Sequence, residues 1–513
     1  MELTPQPKKN GARNHANGAA ESARTAVERA RKAAQIWADK PLQWRIKAIE
    51  RAAKRMLADR EEVVALASAE LGKCDVECVF NEALGALDSV SNWSKVVRAA
   101  VGPNRVPLNP IGFPNKSATV ELVPRGVIGI IAPWNYPMSG LFRSMLPALL
   151  TGNGVVLKPS EHSPRTSSWY AEQLARELPA GLVQVVQGDG SVGEALLEAG
   201  IDACVFTGSI KAGRSVQARC GELGIPSSIE MGGKDAAIIL ADADLDRTVA
   251  GVTHWSLSNA GQACGAIEIA YVDKRIADAF VDRMRRAWSR LNTNAKASGS
   301  GEVDVAPLAN ARQLQVVEAQ VADAIAKGAK AAHGGARTGR GFGYVPTLLD
   351  HCNATMDVVR DETFGPVLAV VRIEGASDAV MAINEARYGL GASIWTSDLN
   401  RGKRLAGKLD VGIVTINNHA FTGAIPALPW SGTRDTGFGI ANSEHALLTF
   451  ARPKAVVVDE SKSPEFFWMP YDNALLELGH ILADAQIGKL LRAWKIPLGF
   501  RKRTARIREF FRG

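Results

Sequence analysis

Short runs of β-branched and apolar residues alternate with helix-like segments through most of this 513-residue chain, and this alternation restricts its fold most strongly. The clearest runs are VIGIIAP (127–133), VVLK (155–158), VQVVQ (183–187), ACVFT (203–207), AAIIL (236–240), VLAVVRI (367–373) and VGIVTIN (411–417). Strands separated by helices pair in parallel through crossover connections, with helices covering both faces of the sheet. The pattern therefore predicts an α/β protein built on parallel sheets.

The N-terminal part of the chain has a different pattern. Residues 1–20 contain too few apolar residues to pack and predict a disordered lead. Residues 21–100 are rich in Ala, Leu, Arg and Glu, and apolar residues such as Trp44, Ile46 and Ile49 recur at helical spacing. That spacing predicts amphipathic helices. The alternating run SATVELV (117–123) then predicts a half-buried strand.

The formal net charge of +8 comes from the C-terminal end of the chain. Residues 489–513 hold nine Lys and Arg residues against one acid, Glu509; removing these from totals of 61 and 53 leaves 52 of each sign. A neutral body lacks the broad basic footprint of a nucleic-acid-binding protein, so no nucleic-acid partner is predicted.

The segment 460–513 predicts an amphipathic, then basic, tail. Five residues have the spacing of a single apolar helical face: Leu475, Leu478, Leu482, Leu491 and Trp494. Aromatic residues among the arginines favour an anionic membrane surface as one partner, bound through residues 489–513. Docking of the tail on its own or a partner subunit, over the substrate entrance, and a frayed basic tail remain alternatives.

Composition and cysteine usage limit the class of protein. Hydrophobic residues make up 46% and charged residues 22% of the chain, as in ordinary globular proteins. Residues 1–20 contain no apolar signal-peptide core, and no apolar run approaches the ~20 residues of a spanning helix. We therefore expect a cytoplasmic protein with reduced thiols. The pair Cys74 and Cys78 has no matching second pair, so no metal site is predicted.

Two glycine-rich turns connect predicted strands to predicted helices. The first is Gly188-Asp-Gly190-Ser-Val-Gly193, which has the spacing of a dinucleotide fingerprint but lacks the usual acidic residue ~20 positions further on. On its own it is equally well read as a plain strand–helix turn. The second, Gly208-Ser209-Ile-Lys-Ala-Gly213, follows at once. Two such turns favour a phosphate-binding domain, because each helix start offers free N–H groups to an anion.

Cys264 is the candidate nucleophile among the six cysteines. It lies in the small-residue segment NAGQACG (259–265), whose glycines allow a ligand to approach closely. Most intracellular cysteines are inert core residues, and the other five cysteines are assigned that ordinary role.

Seven motifs, in order along the chain, change the interpretation of Cys264. They are PWNYP (133–137), LKPSE (157–161), FTGS (206–209), EMGGK (230–234), GQAC (261–264), DETFGPV (361–367) and PWSGTRDTGFG (429–439). Together they resemble the aldehyde dehydrogenase superfamily over roughly residues 21 to 457. Their spacing also suits that family, with 34 residues from Glu230 to Cys264.

The resemblance implies a catalytic mechanism and its residues. Cys264 is the expected nucleophile, reacting as a thiolate with the aldehyde carbonyl. The side-chain amide of Asn135 and the backbone N–H of Cys264 are expected to hold the oxyanion. Glu230 is the expected general base that activates water to hydrolyse the thioester. The implied activity is NAD-dependent oxidation of an aldehyde to a carboxylic acid.

The resemblance also implies a cofactor site for NAD, with NADP as the alternative. Lys158 and Glu161 are expected to bind the adenosine ribose, Ser209 the pyrophosphate, and Glu362 the nicotinamide ribose. Phe364 is expected to pack beside the nicotinamide. The remaining expected cofactor-binding residues are Trp134, Ser160 and Gly208, the last because it leaves its turn without a side chain.

By resemblance the fold has a Rossmann-like cofactor domain, an α/β catalytic domain and a small β oligomerisation flap. The expected bounds are 21–108 and 125–231 for the cofactor domain, 232–431 for the catalytic domain, and 109–124 and 440–457 for the flap. The flap implies a homodimer or homotetramer, because its strand exposes an edge.

Departures from the family pattern leave the substrate open. Met231 replaces a common Leu, Asp361 precedes Glu362 in place of a double Glu, Ile269 stands where an Arg is common, and Trp430 follows Pro429 in a changed PFGG-type turn. Two alternatives remain. One is a CoA-acylating semialdehyde dehydrogenase of the same superfamily, against which Glu230 argues. The other is a non-enzymatic membrane-associated scaffold, which predicts a lost nucleophile or base.

Overall fold

The computed structural model describes residues 9–110, 112–293 and 303–512, with side chains described from residue 18 onward. The chain forms two compact units. The first runs to Val101 and from Leu122 to Pro453, and the second comprises residues 102–121 and 454–513.

The strands, in chain order, are β1 Asn104–Val106, β2 Lys116–Pro124, β3 Val127–Ile131, β4 Gly154–Lys158, β5 Val183–Val185, β6 Ala203–Thr207, β7 Ser227–Glu230, β8 Asp235–Ile239, β9 Ile267–Asp273, β10 Lys330–His333, β11 Thr347–Asp350, β12 Val367–Ile373, β13 Tyr388–Gly389, β14 Gly391–Trp395, β15 Ile413–Ile416, β16 Trp430–Ser431, β17 Thr433–Arg434, β18 Ile440–Ala441 and β19 Ala451–Asp459.

The α-helices are α1 Lys9–Ala38, α2 Leu42–Ala58, α3 Arg60–Leu71, α4 Asp75–Glu77, α5 Gly85–Ala100, α6 Ser139–Leu150, α7 Pro164–Ala175, α8 Gly190–Glu198, α9 Ile210–Leu223, α10 Leu245–Leu257, α11 Lys274–Trp288, α12 Ala311–Ala326, α13 Asp357–Arg360, α14 Ala376–Glu385, α15 Leu399–Ala406, α16 Ser443–Phe450, α17 Asn473–Gln486 and α18 Ile496–Phe510.

The first sheet of the first unit has the order β5-β4-β3-β6-β7, and every pairing in it is parallel. This confirms the parallel α/β class predicted from the alternation of strands and helices. From β3 the chain adds β4 and then β5 on one side, and it then crosses back to add β6 and β7 on the other side of β3. Ligands of open α/β sheets bind at such a reversal, beyond the carboxyl ends of the strands.

The second sheet of the same unit has the order β10-β11-β12-β9-β8-β14-β15. Its pairings are parallel except for the antiparallel β10–β11 pair. Only four residues, Met231–Lys234, connect β7 of the first sheet to β8 of the second. The carboxyl end of β7 is therefore followed directly by the amino edge of the second sheet.

The helices predicted over residues 21–100 are present, and many of their apolar residues are buried, although Trp44 is 42% exposed. Trp37, Ile46, Ile49 and Trp93 all lie in the core that covers the first sheet. A disordered lead was expected over residues 1–20, of which residues 1–8 lie outside the described residues. From Lys9 on the expectation is wrong, because α1 begins there. Ala23, Val27 and Ala30 of α1 are buried, so the helix is already formed there, and extending a formed helix avoids the cost of nucleating a new one.

The second unit contains the small sheet β1-β2-β19, together with α17 and α18. Residues 440–450, expected in the flap, are placed differently. β18 pairs with β16, and residues 443–450 form α16. The helix belongs to the first unit because Ala446, Leu447 and Phe450 are buried in its core.

The single apolar face expected along the tail is wrong. Leu478 and Ile481 are the buried residues of α17, whereas Leu491 is 93% and Trp494 is 70% exposed. Gly488, with φ of 82°, lies just beyond α17 and redirects the chain into a 3₁₀ segment. None of the helices in the described ranges is both long and apolar enough to cross a membrane.

Candidate active site

Cys264 lies in a tight loop at the amino end of β9. Before it, Asn259, Ala260 and Gly261 all have positive φ, between 54° and 72°. A Cβ atom on Gly261 would lie 2.1 Å from the carbonyl oxygen of Gly365, so only glycine fits that position. The loop leaves Cys264 half-buried, while the other five cysteines are buried.

Asn135 is hydrogen-bonded to this loop although it lies more than 120 residues earlier in the chain. Its Nδ2 donates to the carbonyl oxygen of Gln262 at 3.1 Å, and Asn259 Nδ2 donates to the carbonyl oxygen of Asn135 at 3.1 Å. Asn135 is itself buried. These bonds hold the side-chain amide of Asn135 against the segment that carries Cys264.

A buried carboxylate fixes the chain just after Asn135. Glu82, in a π-helical segment, accepts the backbone N–H groups of Met138 and Ser139 at 3.1 and 2.8 Å. Its second oxygen accepts a hydrogen bond from the buried ammonium group of Lys73. The negative charge lies at the start of α6, where the helix dipole favours an anion.

Glu230 is the last residue of β7. Its carbonyl oxygen accepts the N–H of Gly208 at 3.1 Å, which ties the turn after β6 to the end of β7. Burial raises the pKa of the Glu230 carboxyl to about 7, and the positive charge of Arg143 partly opposes that rise. A carboxyl with a pKa near neutrality is suited to accept a proton at physiological pH.

The thiol of Cys264 is stabilised in its protonated form. Burial raises its pKa to about 12, and the charges of Glu230, Asp235 and Glu362 raise it further. Arg143 again acts in the opposite direction. The surroundings of Cys264 are therefore negative, with Arg143 as the opposing cation.

Arg143 lies outside the seven motifs and was not predicted as a site residue. It is the basic residue of the mostly apolar helix α6, and its guanidinium carbon lies 4.6 Å from the centroid of the Trp430 ring. Trp430 is buried beside Cys264 and Leu390. A lone arginine in the helix that follows the Asn135 motif was the signal that could have found it.

The two glycines between β7 and β8 bring three site segments together. A Cβ on Gly233 would lie 2.5 Å from the carbonyl oxygen of Cys264, and one on Gly232 would lie 2.2 Å from Glu362 Oε2. Glu362 Oε1 accepts the N–H of Gly233 at 3.0 Å. Burial and the nearby charge of Glu268 raise the pKa of Glu362 to about 8.

Glu268 holds the loop that carries Glu362 and Phe364, and it was also missed. Its carboxylate accepts the N–H groups of Thr363 and Phe364, both at 2.8 Å, and forms a buried ion pair with Lys234. Glu268 precedes Ile269 in the sequence and lies outside the seven motifs. No local pattern marks such a residue, because its partners come from two other loops.

Five of the eight expected cofactor-binding residues form two groups in the structure. The first contains Lys158, Ser160 and Glu161 at the carboxyl end of β4, where Lys158 Nζ lies 3.3 Å from Glu161 Oε2. Burial opposes ionisation of Glu161, but hydrogen bonding and the charge of Lys158 outweigh it and lower its pKa. In the second group the ring of Trp134 packs edge-on against that of Phe364, with centroids 5.6 Å apart.

The two glycine-rich turns differ in their helix starts. Asp189 caps α8 with its carboxylate, which accepts the N–H of Ser191 at 3.0 Å. Ser209 caps α9 with a neutral hydroxyl, and its turn begins at Gly208, where a Cβ would lie 2.8 Å from the Phe206 ring. A carboxylate repels a phosphate and a hydroxyl does not, so the Gly208–Ser209 turn is the better phosphate site.

Comparisons with known proteins show the family to which the chain is similar. The model of the aldehyde dehydrogenase family matches residues 3–456. The 4,4'-diapolycopene aldehyde oxidase of Methylomonas sp is 35% identical over 441 residues, which are 86% of this chain and 82% of that protein.

Solved structures give the same result. A Mycobacterium tuberculosis aldehyde dehydrogenase complexed with NAD+ is similar with a TM-score of 0.81 and 29% identity, over 86% of this chain and 91% of that one. An NADP-dependent glyceraldehyde-3-phosphate dehydrogenase from Bacillus halodurans C-125, complexed with NADP, has a TM-score of 0.78 and 31% identity, over 86% and 92% of the two chains.

Proposed function

The chain belongs to the aldehyde dehydrogenase family, whose members are oxidoreductases acting on aldehydes, and from that premise we propose that it oxidises an aldehyde to a carboxylic acid with NAD as cofactor. The observation that carries the proposal is the arrangement of Asn135, Glu230 and Cys264. Asn135 is hydrogen-bonded to the Cys264 loop, and the charge of Glu230 acts on the Cys264 thiol.

In the first step, the sulfur of Cys264 attacks the carbonyl carbon of the aldehyde to form a thiohemiacetal. The Nδ2 group of Asn135 carries two N–H bonds, of which one is donated to Gln262. We assign the other, with the backbone N–H of Cys264, to the developing oxyanion. The thiol must lose its proton before attack, because the thiolate is the reactive form, and the positive charge of Arg143 favours that form by lowering the pKa of Cys264.

In the last step, a water molecule hydrolyses the thioester on Cys264. Glu230 takes a proton from this water, so that the attacking species has hydroxide character. The partial burial of Glu230 keeps its basicity above that of an ordinary carboxylate.

The residues of the cofactor site fit a nicotinamide dinucleotide. The Gly208–Ser209 turn, which has a neutral cap, suits the pyrophosphate. Lys158 and Glu161 suit the adenosine ribose hydroxyls, and Trp134 and Phe364 offer aromatic surface to the nicotinamide end. When bound, the nicotinamide supplies the oxidant that accepts hydride from the substrate carbon. The ionised Glu161 would repel a 2′-phosphate, which favours NAD over NADP.

Two variants test the catalytic assignment. Cys264→Ala should abolish aldehyde oxidation, whereas Glu230→Gln should release one equivalent of NADH per active site and then stop at the thioester. Glu172→Gln, an exposed glutamate on α7, is the matched control and should turn over normally. Stopped-flow absorbance of NADH measures the burst. Steady turnover by Glu230→Gln would show that another group is the base.

Glu230 also separates this proposal from the CoA-acylating alternative. An enzyme that passes its acyl group to a thiol must avoid hydrolysis, and a general base near the thioester promotes hydrolysis. A scaffold without activity would not need Asn135, Glu230 and Cys264 to be held together.

We further propose a cytoplasmic homo-oligomer whose residues 489–513 contact an anionic membrane surface. The edge strand β19 supports the oligomer, because Val456, Val457 and Val458 are exposed on it. An exposed apolar edge strand is a template for pairing with another chain. The excess positive charge in residues 489–513 supports the membrane contact.

A further inference from the structure

The segment that joins β19 to α17 is folded around a buried arginine. Arg503 of α18 is 2% exposed. Its guanidinium donates to the carbonyl oxygens of Phe466, Trp468 and Pro470 at 3.2, 2.9 and 2.8 Å, and to Asp472 Oδ2 at 2.9 Å. We name residues 466–472 the aromatic loop. The guanidinium group of Arg503 thus supplies the hydrogen bonds for three backbone carbonyl groups on the inner side of the aromatic loop.

The apolar side chains of the aromatic loop point to the outside. Phe467, Trp468, Met469 and Tyr471 are each between 51% and 68% exposed. Phe466 alone turns inward, where its ring stacks on that of Phe500 at 4.2 Å. Four large exposed apolar side chains within five positions form a patch of the kind that marks an interaction site.

A cavity of about 470 Å³ extends this apolar surface onto α17. It lies between the aromatic loop, represented by Phe467 and Tyr471, and the helix residues Leu475 and Leu476. Apolar contact surface therefore continues from the loop onto the first turns of the helix.

Positive charge lies directly beside the patch. Arg506 pairs with Asp472 at the end of the aromatic loop, and Arg508 donates to Ser463 just before it. Arg501 and Lys502, on the same helix, are exposed. The rest of the chain carries no net charge, so a second copy offers these cations no overall electrostatic attraction, whereas an anionic bilayer does.

We propose that the aromatic loop inserts Phe467, Trp468 and Met469 into the interface of an anionic lipid bilayer, while the cations of α18 contact the lipid phosphates. Trp and Tyr side chains favour this interfacial region because one part of each ring system is apolar and another is polar. The proposal rests on the membrane contact proposed for residues 489–513 and adds to it a second apolar element outside that segment. Arg503 fixes the loop before it meets the bilayer, so less conformational freedom is lost on binding.

The test uses the full chain and vesicles of phosphatidylcholine with 20% phosphatidylserine. The loop variant Phe467→Ser/Trp468→Ser should lower the vesicle partition coefficient about tenfold or more, because it removes the two aromatic rings that would insert into the bilayer. The charge variant Arg501→Gln/Lys502→Gln should weaken binding mainly at low salt, because screening already removes this contribution at 1 M salt. Met381→Ser, on α14 and 58% exposed, is the matched apolar control and should bind as the wild type does.

Each other outcome overturns the inference in a distinct way. Equal binding of the loop variant and the wild type would show that the rings stay out of the bilayer, although the basic contact would stand. A loop variant that changes its sedimentation coefficient but not its vesicle binding would assign the patch to contacts between copies. No wild-type binding would refute both membrane proposals. NADH production from a soluble aldehyde, measured on the same samples, reports separately on the catalytic proposal.

Discussion

At the scale of single residues, Arg143 is the cation that opposes the rise in pKa of Glu230 and of Cys264. Burial raises the pKa of both Glu230 and Cys264, and carboxylates around the thiol raise its pKa further. Arg143 lowers both values from its position over Trp430. The two proposed reacting groups therefore depend on the same cation.

Replacing Arg143 should shift the pH dependence of turnover. The proposed base works as a carboxylate, so kcat should rise with pH as Glu230 ionises near pH 7. Arg143→Met removes the charge that favours the ionised form, and the rise should move upward by about one pH unit. The measurement is kcat against pH from 5.5 to 9.5. Arg143→Lys keeps the charge and should stay close to the wild-type profile; a Met variant with an unmoved profile would exclude an electrostatic role.

Glu268 and Lys234 show how elements hold the site at the next scale. The side chain of Glu268, on β9, binds the backbone of the loop before β12 and the ammonium group of Lys234 before β8. Both charged side chains are almost fully buried. One ion pair therefore fixes three segments at the amino edge of the second sheet.

Removing one partner of this pair should be more harmful than removing both. Glu268→Leu leaves the Lys234 charge buried and unpaired, which should lower the free energy of unfolding by about 3 kcal/mol. It should also raise the KM for NAD, because the loop that carries Glu362 and Phe364 loses two hydrogen bonds. Urea unfolding and cofactor titration measure the two effects.

The matched control for this pair is the double variant Glu268→Leu/Lys234→Met. It removes both charges and should recover most of the stability while the loop hydrogen bonds stay lost. If the single and double variants are equally unstable, the ion pair is not what stabilises this edge.

The exposed edge of β19 concerns the whole molecule. Val457 is 61% exposed on a strand that has a partner on one side only within the described sheet. Val457→Lys places a charge on that edge and should weaken association of copies by at least about tenfold, equivalent to ~1.4 kcal/mol. Sedimentation velocity over a concentration series measures the change.

Val457→Thr is the control for the β19 edge. Threonine keeps the branched shape that suits a strand and introduces no charge, so association should be close to that of the wild type. A Lys variant with the wild-type sedimentation profile would place the oligomer contact elsewhere.

The sequence alone carried the fold class and the order of the site motifs, because both depend on local patterns. Alternation of strands and helices predicted the parallel sheets, and strands such as 155–158 and 203–207 form as expected. The motifs around Asn135, Glu230 and Cys264 were visible because each is a short run of residues. The excess positive charge of residues 489–513 could likewise be predicted, because it depends only on the residue types present.

Folding in three dimensions fixed the features that depend on distant partners. Glu268 is one acid among many until two other loops meet it, and Arg143 gains its role from Trp430, almost 290 residues away. In a basic run Arg503 looks solvated, yet it is buried because four acceptors of the aromatic loop surround it. A single positive-φ glycine at 488 turned one expected apolar face into separate buried and exposed surfaces. Such placements follow from sheet order and loop convergence, which no short stretch of sequence encodes.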